Sequence, residues 1–112
     1  MDRNVFKREL SDASEFLNTD KVSENMQACV DTYGVEHVKY IAIQEMAELT
    51  KELTDDLRGK PDEDGILEEL ADVACVVEYL KLTYGISDEY LVRAMNVKVD
   101  NVNRKIHRRE FK

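Results

Sequence analysis

The chain has no tryptophan, a single proline (Pro61) and only four glycines. So few helix breakers leave room for long, uninterrupted helices. No apolar run approaches the ~20 residues that a membrane span needs. Cysteine is scarce as well. Cys29 and Cys75 stand alone, with no C-x-x-C and no histidine close by. They read as reduced, packed thiols of a cytoplasmic protein. His37 and His107 are isolated, and neither has a serine or cysteine partner at a readable spacing. A nucleophile–histidine triad is therefore not indicated. The opening Met1-Asp2-Arg3-Asn4 does not read as a signal peptide.

Charge is abundant. Asp and Glu number 24 against 16 Lys and Arg, a net charge of -8. That balance argues against a general nucleic-acid binder. The charge is also uneven: residues 93–112 carry seven basic and two acidic residues, net +5, which leaves -13 for the rest. An acidic site beside a basic tail suits a phosphate ligand that arrives with metal. A chain of 112 residues is expected to form one domain with a modest core.

The pattern of apolar residues is helical throughout. Residues 4–17 carry Val5, Phe6, Leu10, Ala13, Phe16 and Leu17 at helical spacing, which predicts a short N-terminal helix within an extension of residues 1–19. Thr19 or Asp20 caps a helix that Gly34 ends, with Val22, Met26, Cys29, Val30 and Tyr33 on its apolar side. A long helix follows over residues 35–57, striped by Val38, Ala42, Leu49 and Leu53. Gly59-Lys60-Pro61 stops it. The next runs over residues 63–84, striped by Ile66, Leu70, Val73, Val77, Leu80 and Tyr84. Ser87, followed by Asp88 and Glu89, opens a last helix carrying Leu91, Met95, Val99, Val102 and Ile106. No segment alternates like a strand. The expectation is an all-α fold, a four-helix bundle with a short N-terminal helix added.

Two acidic pairs stand out: Glu45-x-x-Glu48 and Glu69-x-x-Asp72. Residues three apart on a helix are surface neighbours, so each pair can aim two carboxylates at one point. Two such helices face to face supply four hard oxygen ligands, suited to Mg²⁺ or Mn²⁺. Glu45 lies roughly 20° from Val38 on the helical wheel, inside the apolar stripe. Glu69 lies about 60° from Ile66, inside the apolar arc, with Asp72 just outside it. Glu68 and Glu78 are expected to point well away. The alternative is a solvated helix face with i,i+4 partners such as Lys51. Convergence of unpaired interior carboxylates is costly unless a cation or a proton intervenes. Tyr33, Tyr40 and Tyr79 fit core packing, with stacking on a nucleobase as the other option.

The stretch Ile43-Gln44-Glu45-Met46-Ala47-Glu48-Leu49, followed by Glu68-Glu69-Leu70-Ala71-Asp72, resembles the signature of MazG-like nucleotide pyrophosphohydrolases. That all-α superfamily also includes dimeric dUTPases and phosphoribosyl-ATP pyrophosphohydrolases. Its pattern is E-E-x-x-E, a spacer, then E-x-x-D. The likeness covers residues 35–106 and extends to Leu57-Arg58-Gly59-Lys60 and to Leu80-Lys81-Leu82-Thr83-Tyr84-Gly85-Ile86. Gln44 stands where the pattern has its first acid, and Ala71 replaces a common glycine. The resemblance implies that Glu45, Glu48, Glu69 and Asp72 bind Mg²⁺. It implies phosphate contacts from Lys98, Asn101 and either Arg104 or Lys105, although a basic helix end is also favoured by the helix dipole alone. It further implies hydrolysis of a nucleoside triphosphate between the α and β phosphates, in a homodimer or homotetramer; a carboxylate not fully committed to metal, Glu45 or Glu48, is the candidate to accept the water's proton. Other expectations remain open: the same fold acting on phosphoribosyl-ATP, dUTP or an alarmone, or a helical binding or regulatory protein without catalysis.

Overall fold

Sequence punctuation sets the helix borders in the computed structural model, which describes residues 3–108. Five helices follow one another: α1 (Arg3–Asp12), α2 (Thr19–Tyr33), α3 (His37–Leu57), α4 (Glu63–Tyr84) and α5 (Asp88–His107). The described residues include no strand. The fold is all-α, as the periodicity predicts.

The caps explain the borders. Asn18 Oδ1 accepts the Lys21 N–H at 3.1 Å and so caps α2. The cap lies one residue before Thr19 and two before Asp20, because Asn, Thr and Asp all suit that position. Gly34, at φ 95°, closes α2 in a conformation that side-chain-bearing residues rarely adopt. Ser87 caps α5 as expected, its Oγ accepting the Tyr90 N–H at 3.1 Å. α1 ends at Asp12, well short of residue 17. The residues beyond it turn on Ser14, whose Oγ accepts the Phe16 N–H at 3.1 Å. A serine hydroxyl bonded to nearby backbone competes with helix continuation.

The chain divides into two compact units, Met1–Leu80 and Lys81–Lys112. In the first, α2 packs on α3. The buried apolar residues described are few: Val38 and Ala42 on α3, and Val76 on α4. On α3 the stripe holds at its start, but Leu53 is 47% exposed. On α4 it is rotated. Gly65, Glu68 and Val76 are the buried positions, while Leu70 is 52% exposed. The buried line of α4 lies roughly 100° from the Ile66–Leu70–Val73–Val77 line. Tyr33 and Tyr40 are exposed and take no part in a core. Cys29 is half-buried and Cys75 exposed, and both thiols are free.

In the second unit, no residue of α5 is buried. Lys81 and Asp88 form an ion pair there, between the end of α4 and the start of α5. No helix among the described residues is long and apolar enough to cross a membrane.

Candidate metal centre

The α3 stripe of Val38 and Ala42 continues, at helical spacing, into Glu45. On α4, buried Gly65 and Val76 share a line with half-buried Glu69 and Asp72. The acids therefore belong to the facing sides of these helices. Glu45, Glu48, Glu69 and Asp72 each offer one carboxylate oxygen to a cluster whose atoms all lie within 4.8 Å of one another. The structure brings together all four acids singled out from the spacing.

The cluster is electrostatically unsatisfied. Glu45 Oε2 and Glu69 Oε2 are buried without a hydrogen-bond partner. Burial, then the charges of Asp72 and Glu48, push the Glu45 carboxyl up to about 7. Glu69 is raised as well, by burial first and then by Glu48 and Asp72. Asp72 is raised chiefly by burial. Orphaned oxygens on converging carboxylates are what a divalent cation relieves. The all-oxygen donor set fits hard ions such as Mg²⁺ or Mn²⁺ and lacks the sulfur and imidazole ligands typical of zinc.

A cavity of about 520 Å³ opens over the cluster, lined also by Arg3, Phe6, Glu68 and Ala71. Ala71 contributes only a methyl group to that wall. Glu68 corrects the sequence reading. It does not point to solvent but is buried at 8% exposure, where the Arg3 guanidinium binds it. The helical wheel misplaces it because the wheel was centred on the aliphatic residues, whereas α4 buries its acidic side. Arg3, Phe6 and Glu68 are site residues that sequence reasoning missed. For Arg3 no local signal exists, since its partner is 65 residues away.

The basic candidates lie on α5, in the second unit. Asn101 is half-buried, and Lys98, Arg104 and Lys105 are exposed. Arg104 donates to Asn101 Oδ1, which joins two of the candidates on one helix face. His37 packs its ring on Tyr33 with centroids 4.5 Å apart. The chain matches no family model, no curated protein and no solved structure.

Proposed function

We propose that the protein is a divalent-metal-dependent nucleotide pyrophosphohydrolase, hydrolysing a nucleoside triphosphate between its α and β phosphates to the monophosphate and pyrophosphate. The observation that carries this reading is the convergence of Glu45, Glu48, Glu69 and Asp72 within 4.8 Å, with two buried oxygens lacking donors. The MazG-like signature in the sequence supplies the reaction class.

Glu45, Glu48, Glu69 and Asp72 would hold Mg²⁺ or Mn²⁺. Such an ion neutralises phosphate charge and polarises the phosphoryl oxygens for attack by water. The chain's own residues do the rest. Whichever of Glu45 and Glu48 is less engaged in ligation accepts the proton of the attacking water. The surplus negative charge repels a nucleotide that arrives without metal, so binding of substrate and of cation is coupled. The basic end of α5, with Lys98, Asn101 and Arg104 or Lys105, supplies contacts to the phosphates. That assignment rests on the charge split and on the resemblance.

The protein works as a homodimer or homotetramer. Support comes from apolar side chains on the sides of α3 and α4 turned away from the acids: Ile43 is 65% exposed, Met46 43%, Leu67 43% and Leu70 52%. Uncovered aliphatic side chains on so thin a core favour burial against a second copy. Incubation with individual NTPs and dNTPs, with and without Mg²⁺, followed by product identification, tests the function and names the base.

A further inference from the structure

The N-terminal helix contributes to the cavity in a way the acidic signature does not foretell. Arg3 is the one cation among the described residues that line it. Its Nη1 binds Glu68, its Nη2 lies 3.2 Å from Asp62 Oδ2, and the same nitrogen lies 3.8 Å from Glu52 Oε1. The seat is shaped for this side chain. Asp62 is itself fixed, because its Oδ1 accepts the Gly65 N–H at 2.9 Å. A Cβ on Gly65 would come within 2.6 Å of Asp62 Oδ2 and 2.8 Å of Arg3 Nη2. A side chain at that position would require Asp62 or Arg3 to shift.

The position of this seat has an electrostatic consequence. Glu68 adjoins Glu69 in sequence and lines the same cavity as the four clustered acids. With Glu68 uncompensated, a phosphate group approaching a cation in the cluster meets a fifth negative charge at close range. α1 has no buried residue of its own. It is anchored by charge, through Arg3 and through Lys7, whose Nζ lies 3.2 Å from Asp64 Oδ2.

We propose that Arg3 is a positioning residue of the cavity: by holding Glu68 it keeps the centre open to a metal-bound phosphate group of a nucleotide or of pyrophosphate. This rests on the function proposed above. It differs from a purely structural role in one testable respect. Loss of Arg3 makes the cavity more negative, so it strengthens cation binding and weakens anion binding. Loss of folding weakens both.

The test uses the full chain with Mn²⁺ alone, and then pyrophosphate at saturating Mn²⁺, both by calorimetry. Arg3→Gln should bind Mn²⁺ about threefold or more tighter and pyrophosphate about tenfold weaker, since one charge at close range is worth that much in a partly screened site. The double variant Arg3→Gln/Glu68→Gln should return pyrophosphate affinity to within about threefold of wild type, and Arg3→Lys should stay near wild type. Unchanged pyrophosphate affinity in Arg3→Gln, or a double variant no better than the single, overturns the proposal. If Arg3→Gln fails to fold, Glu68→Gln alone decides: pyrophosphate should bind as tightly as in wild type or tighter, and weaker binding overturns the proposal. Wild-type protein that binds Mn²⁺ but not pyrophosphate would refute the function itself. The Mn²⁺ affinity of Arg3→Gln would still show whether Arg3 compensates the cluster.

Discussion

Glu45 on α3 and Glu69 on α4 each bury a carboxylate oxygen that no donor satisfies, within one cluster of acids. Two helices that fold together in this way spend stability on a site. A buried polar atom without a partner costs about 1–3 kcal/mol. Like charges at this range add to that cost, and a cation relieves both.

Stability should therefore depend on pH and on metal together. Folding makes Glu45 a weaker acid, so the native state holds its proton more tightly than the unfolded chain does. Stability is then greatest where Glu45 is protonated and is lost as pH rises from about 4.5 towards about 7. The raised Glu69 and Asp72 carboxyls act in the same direction. Melting followed by circular dichroism should show a lower Tm at pH 7.5 than at pH 5.5 in chelator. Mg²⁺ or Mn²⁺ at 100 times its Kd should raise stability at pH 7.5 by about 2.7 kcal/mol. A metal-free Tm that rises over this range, or one that metal does not move, contradicts the expected balance.

Removing single ligands should separate these acids from their surroundings. Glu45→Gln, Glu48→Gln, Glu69→Gln and Asp72→Asn should each weaken Mn²⁺ binding by at least about tenfold. Glu24→Gln, on exposed α2 surface, should leave it within about twofold. Electron paramagnetic resonance of free Mn²⁺ reads this directly. Wild-type affinity in any two of the four ligand variants would dissolve the four-ligand centre.

The basic end of α5 should act on phosphates. Lys98→Ala should lower kcat/KM by about 10- to 150-fold, equivalent to a charge-assisted contact of about 1.5–3 kcal/mol. Mn²⁺ affinity should hold. Lys105→Ala should act in the same sense. Wild-type kinetics in both variants would return this run to a solvated helix end.

Assembly should follow from the uncovered aliphatic faces of α3 and α4. Light scattering at micromolar concentration should give a dimer or tetramer, and Leu70→Glu should shift it towards monomer. An active wild-type monomer would remove the assembly from the account.

Much of this was legible in the chain. Pro61 and Gly85 bracket α4 at residues 63 and 84 because breakers act locally, and the three-residue spacing of each acidic pair fixes a shared face whatever the tertiary packing. What sequence could not reveal depends on packing between elements. α4 is apolar around much of its circumference, so its aliphatic residues do not say which side is inward. The acids turned out to mark the buried side, and Glu68 went inward with them. Arg3 was invisible for a related reason: no periodicity links a residue on α1 to one on α4.

The most direct test of the central claim is ³¹P NMR of metal-stripped protein with each canonical NTP and dNTP, before and after addition of Mg²⁺. The account predicts that at least one nucleotide yields its monophosphate and pyrophosphate, only with metal present and not with Glu45→Gln. No turnover across the panel, release of orthophosphate and nucleoside diphosphate, or equal turnover in EDTA would contradict it.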